Sequence, residues 1–359
     1  MRNIIKKTLR SSAIGYVPIS QNFEQPGDRR RFAFYAKERA ISFELADPAK
    51  NYDVVVLTQA ADLSVWSKYN FGGAKIVYDF IDSYLAIPKT DIRGWIRGSA
   101  KYLSGQSRYF YVDHWKAIAA MCNRADAVVC STQEQQADIY KFCSNVHIIL
   151  DSQAEEVYKV KNNYVCRNPF RLVWEGLPQN LESLKPIAEM LAASSLKDRI
   201  ELHIITDPFY RRYLGKYWSV DSRYIMSKLK LNCVFHEWNL DTLSSIACDC
   251  DLAIIPINLK DPFARGKPEN KLLLFWRMGL PAVVSATPSY VRAMRAAGLD
   301  DAIVDDQEWL EKLSSYMQDE ILRERAASLG KTHVNSYYSS SVFLARWDQM
   351  FESLGFSVS

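Results

Sequence analysis

Three features of the sequence predict an α/β protein with two Rossmann-like, doubly wound domains that face each other across a cleft. Short apolar runs rich in β-branched residues alternate with helical patterns, and this alternation occurs twice along the chain. A polar segment at residues 151–168 separates the two series. The length of 359 residues, of which 48% are hydrophobic, is enough for two domains that each bury a core.

The same pattern sets the expected domain bounds. We place an N-terminal acceptor domain at residues 1–155 and a C-terminal donor domain at 165–335. A last helix at 336–359 is predicted to pack back toward the first domain. The pattern also predicts a loop at 22–28, a helix at 29–40 and two aromatic helical pieces within 91–122, whereas residues 208–230 are aromatic and basic with weak periodicity.

Residues 251–285 form the most informative stretch. A buried strand at Asp251–Ile257 is followed by a polar loop, and Pro268 is predicted as the first residue of a helix. Gly279 ends that helix, and Ala282–Ser285 form the next strand. Loops at the carboxyl ends of parallel strands bind ligands in α/β proteins, and a helix N-terminus there attracts anions.

This loop also carries polar and cationic side chains. We interpret it as the binding site for the diphosphate of a nucleotide, and the alternative is an ordinary strand–helix unit with a solvated basic loop. The candidate donor-binding residues in it are Arg265, Lys267, Glu269, Asn270 and Lys271.

Positive charge is concentrated near the start of the chain. Residues 1–40 contain nine Lys and Arg against three acids, a net +6, which leaves −2 for the remainder of the total +4. Arg29, Arg30 and Arg31 follow the first strand and are candidates for contact with an acceptor or another anion. The alternatives are a solvated face or a patch for anionic lipid. Nucleic acid ranks last because no binding motif accompanies the charge.

Several classes of protein and site are not expected. No run of about 18 apolar residues is present, so no transmembrane helix is predicted, and the apolar stretches at the N-terminus are too short for a signal peptide. The seven scattered cysteines are typical of reduced thiols in a cytosolic protein. Because no histidines share metal-ligand spacing with a carboxylate, we expect neither a tightly bound metal nor another cofactor.

Four segments carry a resemblance to a known family. They are Asn270–Leu273, Gly279–Val284, Ala125–Thr132 and His236–Ile257. Together they resemble glycosyltransferases of the GT-B fold, and they are most similar to the large retaining family 4. The likeness covers most of residues 125–290.

The resemblance implies roles for particular residues. The amides of Glu269 and Asn270 would contact the donor diphosphate, and Gly176 matches the glycine after the first strand of the donor domain. Two carboxylates of the family are absent, because Leu274 and Gly266 occupy their positions. Glu269 or Glu175 is a candidate substitute for them, and Lys185 is a loose match to a basic residue of the family.

The resemblance also directs attention to the first domain. Asp79 lies where many relatives have a histidine, and Asp82 follows closely, so either can orient or deprotonate an acceptor hydroxyl. Their alternative role is capping of the following turn. His114 is a third catalytic candidate, although a lone histidine is more often structural. The other assignments are core positions for His147, His203 and His236, a surface position for His333, and a base-stacking or packing role for Trp238.

The leading hypothesis is therefore a metal-independent glycosyltransferase. It would move a sugar from a nucleotide-sugar donor to a hydroxyl of a surface polysaccharide or lipid-linked glycan. The basic N-terminal segment would lie against the inner face of the cytoplasmic membrane. Two alternatives are a nucleotide-sugar-binding protein that has lost catalysis and a nucleotide-sugar epimerase on the same scaffold.

Overall fold

A computed structural model describes residues 7–87, 93–111, 113–212, 217–305 and 308–358. Within these ranges the side chains of seven residues are also left undescribed, namely residues 93–95, 212, 217, 218 and 262. Lys6 of the basic segment and the side chain of Trp95 in the aromatic segment lie outside the described part. Among the described residues, no helix has both the length and the apolar character needed to cross a membrane.

The chain divides into two compact units. Unit 1 comprises Met1–Ser152 together with Ser340–Ser359, and unit 2 comprises Gln153–Ser339. Each unit contains a six-stranded sheet in which every neighbouring pair of strands is parallel. The prediction of two doubly wound sheets is therefore confirmed.

The described residues of unit 1 up to Ser152 form seven strands and six α-helices. The strands are β1 Lys7–Thr8, β2 Ile14–Val17, β3 Glu44–Leu45, β4 Val54–Thr58, β5 Lys75–Asp79, β6 Ala127–Cys130 and β7 Val146–Ile148. The helices are α1 Pro26–Arg29, α2 Phe32–Glu38, α3 Leu63–Trp66, α4 Arg93–Leu103, α5 His114–Arg124 and α6 Gln133–Ile139. The strand order of the sheet is β3-β2-β4-β5-β6-β7.

The described residues of unit 2 form eight strands and eight α-helices, besides short 3₁₀ helices. The strands are β8 Phe170–Glu175, β9 Ile200–Thr206, β10 Phe209–Arg212, β11 Tyr217–Asp221, β12 Cys233–Glu237, β13 Leu252–Ile255, β14 Ala282–Ser285 and β15 Ile303–Val304. The helices are α7 Lys185–Ala192, α8 Ser222–Met226, α9 Leu240–Cys248, α10 Pro262–Arg265, α11 Asn270–Arg277, α12 Pro288–Ala296, α13 Trp309–Gln318 and α14 Glu320–Tyr337. The strand order of the sheet is β12-β9-β8-β13-β14-β15.

The loop predicted at residues 22–28 is partly wrong, because α1 begins at Pro26. Its Asp28 is fully buried and accepts hydrogen bonds from the Tyr16 hydroxyl at 2.7 Å and from the amide of Ile19 at 2.8 Å. These bonds hold the start of α1 against the end of β2. The single helix predicted at 29–40 is interrupted at Arg31, whose backbone leaves the helical region and whose side chain is buried.

The segment with weak periodicity contains an antiparallel pair, β10 and β11, followed by the short helix α8. A short antiparallel pair beside a parallel sheet gives no long alternating or helical repeat, so the sequence pattern there was uninformative.

The chain returns to unit 1 with the helix α15 Ser340–Ser353 and the strand β16 Phe356–Ser357. Trp347 is fully buried and stacks on Tyr35 of α2 with ring centroids 5.6 Å apart. The carboxylate of Asp348 accepts a hydrogen bond from the Tyr35 hydroxyl at 3.0 Å. β16 then pairs with β1 in parallel. These contacts make α15 part of the core of unit 1.

Replacing Trp347 by Ala should therefore destabilise unit 1. We expect a loss of about 3–5 kcal/mol in the free energy of unfolding, because the change removes a fully buried indole and leaves a cavity. Urea denaturation measures the loss. Tyr140→Ala, at a side chain 52% exposed, is the control and should cost under about 0.5 kcal/mol. Equal effects of the two substitutions would contradict the role assigned to α15.

Candidate functional site

The sheet of unit 2 has one point where its strand order reverses. From β8 the chain moves to β9 and β12 on one side, and it then returns to place β13, β14 and β15 on the other side. The connections after β8 and β13 therefore leave the sheet in opposite directions. Such a reversal opens a crevice beyond the carboxyl ends of the two strands, and ligands of doubly wound proteins bind there.

Lys271 joins the two sides of this reversal. It lies in the first turn of α11, which follows β13, and its ammonium donates to Glu175 at the end of β8. The distances are 2.6 Å from Nζ to the Glu175 carbonyl oxygen and 2.8 Å to its Oε2. About a third of the lysine side chain is exposed and only 11% of the glutamate side chain. One cation is thus held at the crevice by a carbonyl and a carboxylate.

Gly176 makes this close approach possible. A Cβ at this position would lie 2.9 Å from Nζ of Lys271 and 2.8 Å from the ring of Trp174. Its carbonyl oxygen accepts a hydrogen bond from the hydroxyl of Thr206 at 2.6 Å, which ties the loop to β9. The predicted glycine is therefore required by close packing around the lysine.

Lys267 makes a second link across the reversal. Its Nζ lies 3.3 Å from Oδ1 of Asn180, in the 3₁₀ helix Pro178–Leu184 that follows β8. Arg265 is exposed at the end of α10, within the same loop. Three cationic side chains therefore lie within the seven residues 265–271 after β13, and two of them reach across to the end of β8 or to the 3₁₀ helix that follows it.

The start of α11 differs from the prediction. The helix begins at Asn270 with Glu269 as the N-cap residue, two positions after Pro268. The carbonyl oxygen of Lys267 accepts a hydrogen bond from the hydroxyl of Ser289 at 2.5 Å, so it is directed toward α12 and starts no helical turn. The Glu269 carboxylate accepts from the Tyr338 hydroxyl at 3.3 Å. Gly279 ends α11 as predicted, with a φ of 67°.

Sequence reasoning missed other polar groups beside α11. Gln153, only 1% exposed, donates from Nε2 to the carbonyl oxygen of Asn270 at 2.7 Å. The Thr287 hydroxyl is fully buried and has no hydrogen-bond partner among the residues that the structure describes. Gln153 lies in the polar segment 151–168 that was interpreted as a linker, so it was not considered as a site residue. The polar residues that follow β14 in the sequence could have been used to predict Thr287 and Ser289 as site residues.

In unit 1, Arg31 and Asp79 form a buried ion pair. Arg31 is fully buried, and its guanidinium donates from Nε to Asp79 Oδ2 at 2.7 Å and from Nη2 to Oδ1 at 2.6 Å. Nη1 donates to Asp151 and to the carbonyl oxygen of Ile149, both at 2.9 Å. Burial raises the pKa of the Asp79 carboxyl, and the guanidinium acts against that rise. Arg31 and Asp79, both predicted as site residues, are thus paired with each other, and Asp79 is only 1% exposed.

The remaining candidates of unit 1 occupy different environments. Asp82 is half-buried beside Tyr84. Burial is the largest cause of the raised pKa of the Tyr84 hydroxyl, and the Asp82 carboxylate raises it further. Arg29 donates from Nε to the carbonyl oxygen of Glu24 at 3.0 Å, and Arg30 is half-buried. The structure therefore separates the three consecutive arginines, since only Arg31 enters the core.

His114 starts α5 and is 3% exposed. Its Nδ1 lies 3.2 Å from the hydroxyl of Tyr111. Burial, followed by the positive charges of Lys101 and Arg97, lowers the pKa of His114 to about 3. Its imidazole is consequently neutral at physiological pH.

The other histidines are placed by local contacts. The surface position predicted for His333 is wrong. The helix α14 packs against α11, the His333 ring lies edge-on to Trp276, and His333 is only 8% exposed. His203 lies within hydrogen-bonding distance of His236 at 2.9 Å and of Glu201 at 2.8 Å. In the described part of the chain, no group of three or more His, Cys, Asp or Glu side chains is arranged to hold a metal ion.

Comparison with solved structures identifies the architecture. WaaG, a glycosyltransferase involved in lipopolysaccharide biosynthesis, superposes with a TM-score of 0.56 and 13% sequence identity. The match covers 94% of this chain and 99% of WaaG. The chain has the GT-B fold. This confirms the fold class that the sequence predicted.

TarM is a second structure similar to this GT-B chain. The TM-score is 0.57 with 12% identity over 83% of this chain, which spans about half of TarM, 54% of its length. An S. aureus TarM mutant in complex with fondaparinux, α-GlcNAc-glycerol and UDP gives a TM-score of 0.53 with 12% identity, covering 83% of this chain and 55% of the mutant. The sequence matches no family model and no curated protein.

Removing the Arg31 side chain should destabilise unit 1 strongly. Arg31→Met leaves the Asp79 carboxylate buried without its guanidinium, so we expect a loss of about 3–5 kcal/mol in the free energy of unfolding. The double variant Arg31→Met/Asp79→Leu should regain part of it, because the fully buried Asp79 carboxylate is removed together with the guanidinium, whereas Asp151, whose side chain is 11% exposed, still loses its bond to Arg31. Urea denaturation of both variants measures this. Arg30→Met, a half-buried neighbour, is the control, and an equal loss there would contradict the assignment.

His114 should contribute a stability that depends on pH. The unfolded chain takes up a proton at His114 near pH 6.5, whereas the folded protein does so only near pH 3. The stabilisation is therefore complete above pH 6.5 and is lost as the pH falls toward 3, by about 1.4 kcal/mol per pH unit. In urea denaturation at pH 7.5 and 4.5, His114→Phe should remove this dependence. Tyr111→Phe, which keeps the imidazole, should retain it, and parallel pH curves for all three proteins would contradict the prediction.

Proposed function

We propose that this chain is a glycosyltransferase that moves a sugar from a nucleoside-diphosphate donor to a hydroxyl acceptor. The observation that carries the proposal is the pair of lysines, Lys267 and Lys271, that cross the reversal of strand order in unit 2. Both ammonium groups lie at the place where doubly wound sheets bind phosphorylated ligands, and a helix of eight residues starts beside them.

The donor site provides positive potential for a leaving diphosphate. Lys267, Lys271 and Arg265 supply three charges, and the first amides of α11 supply partial positive charge. Fixed donors of this kind stabilise the negative charge that develops on the diphosphate as its bond to the sugar breaks. In our proposal they take the place of a metal ion, so transfer is metal-independent.

Glu175 is our candidate for the carboxylate that contacts hydroxyls of the donor. The family positions for such a group are Leu274 and Gly266 in this chain, and Leu274 is 2% exposed. Glu175 lies at the end of β8 and already contacts Lys271. When a diphosphate attracts the lysine, the glutamate can accept hydrogen bonds from a ribose or sugar hydroxyl. Glu269 remains the second candidate.

Unit 1 is proposed to bind the acceptor. Asp82 is the favoured catalytic candidate, because Asp79 is occupied by Arg31 and His114 is buried with a low pKa. Arg29 and Arg30 are candidates for contact with an anionic part of the acceptor. Arg31 then has a positioning role, because it fixes the end of β5 from which the Asp82 segment continues.

A surface polysaccharide or a lipid-linked glycan is the proposed acceptor class. WaaG is described as acting in lipopolysaccharide biosynthesis, and the TarM mutant was solved with α-GlcNAc-glycerol and UDP. The description of WaaG supports a cell-envelope glycan as the acceptor, and the UDP in the TarM mutant complex supports a nucleotide leaving group. The proposal places the protein in the cytoplasm at the inner face of the membrane, where such acceptors are available.

One observation favours a second candidate function. The carboxylates that the family resemblance led us to expect are absent at Leu274 and Gly266. A chain that keeps the cationic crevice but lacks these carboxylates would bind a nucleotide sugar and transfer nothing. This alternative is a nucleotide-sugar-binding protein on the GT-B scaffold.

The donor site is tested by nucleotide binding. In thermal-shift titrations with UDP, GDP, CMP and dTDP and their common sugar conjugates, one nucleoside diphosphate should stabilise the protein, by about 2.7 kcal/mol at 100 times its dissociation constant. EDTA should not change the shift. Lys267→Ala/Lys271→Ala should weaken binding at least about tenfold, because two charges at the phosphates are removed, and a tenfold loss is about 1.4 kcal/mol.

Lys260→Ala is the matched control, because Lys260 is an exposed lysine of the same loop. It should leave the affinity nearly unchanged. No stabilisation by any nucleotide would overturn the proposal. If the double variant binds the nucleotide with an affinity within tenfold of the unchanged protein, the two lysines are not part of the donor site. Binding without transfer to glycan acceptors and without donor hydrolysis would favour the second candidate function.

A further inference from the structure

Helix α4 turns two basic side chains toward the interior of unit 1. Arg97 and Lys101 are spaced as i and i+4, so they are neighbours on one face of the helix. Both are half-buried, whereas Ile96 and Leu103 of the same helix are 62% and 85% exposed. A surface helix normally places its charges in water and its apolar side chains inside. Two like charges side by side on an inner face are unfavourable, so this arrangement requires a reason.

Arg97 is held by an aromatic ring. Its guanidinium lies 4.7 Å from the ring centroid of Tyr84, and its Nη2 donates to the Tyr84 hydroxyl at 3.0 Å. Its Nε is buried without a hydrogen-bond partner among the residues that the structure describes. Burial raises the pKa of the Tyr84 hydroxyl, so this phenol stays neutral. The positive charge of Arg97 is therefore positioned by Tyr84 but not neutralised by it.

Lys101 has still fewer contacts. Within the described part of the chain its ammonium group forms neither a hydrogen bond nor an ion pair. The carboxylate whose charge acts on it is that of Asp62. This carboxylate already accepts hydrogen bonds from the amide and hydroxyl of Ser64, the hydroxyl of Ser107 and the amide of Arg108. Neutral donors thus occupy the nearby acid, and it fixes the loop after α4 instead of pairing with the lysine.

The surroundings oppose the charge of Lys101. Burial, followed by the positive charge of Arg97, lowers the pKa of Lys101 to about 8. The same two cations, after the larger effect of burial, lower the pKa of His114 at the start of α5. Charges that are withdrawn from water are normally paired in proteins. A bound anion would give Lys101 and Arg97 the partner that the described side chains do not provide.

This pair of cations is connected to the proposed reaction centre. The Tyr84 hydroxyl that accepts from Arg97 has the Asp82 carboxylate as a further hydrogen-bond partner. Both residues follow the carboxyl end of β5, where ligands of parallel α/β sheets bind. An anion on Arg97 would therefore lie one tyrosine side chain away from Asp82, the group proposed above to act on the acceptor hydroxyl.

We propose that Arg97 and Lys101 bind a phosphate group of the acceptor, which is then a phosphorylated glycan. This inference rests on the proposed function, since that function makes unit 1 the acceptor unit. A phosphate monoester carries about two negative charges at neutral pH, and the two cations balance them. A lysine binds phosphate as a point charge, and a guanidinium donates directed hydrogen bonds to its oxygens. The site uses neither Arg29 nor Arg30, which lie at the end of α1.

Phosphate binding to the Lys267→Ala/Lys271→Ala protein tests the proposal, because the donor crevice then lacks its two lysines. In thermal-shift titrations at pH 7.5 and constant ionic strength, mannose 6-phosphate should stabilise this protein, inorganic phosphate should do so more weakly, and mannose should not. Adding Lys101→Met should lower the affinity for mannose 6-phosphate about tenfold or more, the effect of one hydrogen bond to a charged group. Adding Lys101→Arg, which keeps the charge, should leave the affinity within about threefold.

Lys116→Met is the matched control, because Lys116 is an exposed lysine on the neighbouring helix α5. It should bind like its parent protein. Without ligand, Lys101→Met should melt no lower than its parent, since it loses an unpaired charge and keeps an apolar stem. Equal affinities of the Lys101→Met and Lys116→Met proteins would overturn the proposal.

Two further results would also overturn the proposal. One is the absence of binding by either phosphate compound. The other is tighter binding of inorganic phosphate than of mannose 6-phosphate, which would indicate a site for the free ion and not for an acceptor. Nucleotide binding by the unchanged protein depends on Lys267 and Lys271 in unit 2, and the phosphate titrations use a protein without these lysines. Failure of the donor-site proposal and failure of this one are therefore distinguishable.

Discussion

The interaction on which the candidate site depends is the bond between Lys271 and Glu175. An ammonium group that contacts both a carbonyl oxygen and a carboxylate oxygen joins the start of α11 to the end of β8. The two elements belong to the two halves of the sheet, which are joined only at β8 and β13. The lysine therefore links the two sides of the crevice, and it carries the charge that a diphosphate would attract. Gly176 is part of the same arrangement because any Cβ there would displace the lysine or the ring of Trp174.

A second constraint operates in unit 1, where Arg31 satisfies three acceptors in the core. It contacts Asp79 and Asp151 with charged hydrogen bonds and Ile149 with a bond to the backbone. The pairing explains why the helix after β2 is broken, since a continuous helix would direct this side chain elsewhere. It also explains why a carboxylate at a strand end, usually a candidate for chemistry, is closed to solvent here.

Much of the fold could be predicted from the sequence because it depends on local pattern. Buried parallel strands such as β4 and β14 are short runs of β-branched residues, and glycine at 279 ends α11 where a left-handed conformation is needed. The features that escaped prediction depend on distant residues. The helix α11 starts at Asn270 and not at Pro268, and the carbonyl oxygen of Lys267 accepts a hydrogen bond from the hydroxyl of Ser289, which lies 22 positions further along the chain. Nothing local distinguishes Arg31 from its two arginine neighbours, since its partners lie 48 and 120 positions away. For the candidate site, sequence identified the cationic loop but not Gln153 or Thr287.

The discontinuous composition of unit 1 has a consequence for biosynthesis. Its core includes Trp347 and Phe351 of α15, which the ribosome adds only after all of unit 2. Unit 2 is one uninterrupted segment, so it can acquire its full set of contacts while unit 1 still exposes the apolar faces of Phe32 and Tyr35. Domains usually fold in the order of their synthesis, and exposed apolar surface attracts chaperones. The core of unit 1 is therefore completed only after the synthesis of unit 2, and we expect the apolar faces of α2 to stay exposed until α15 has been synthesised.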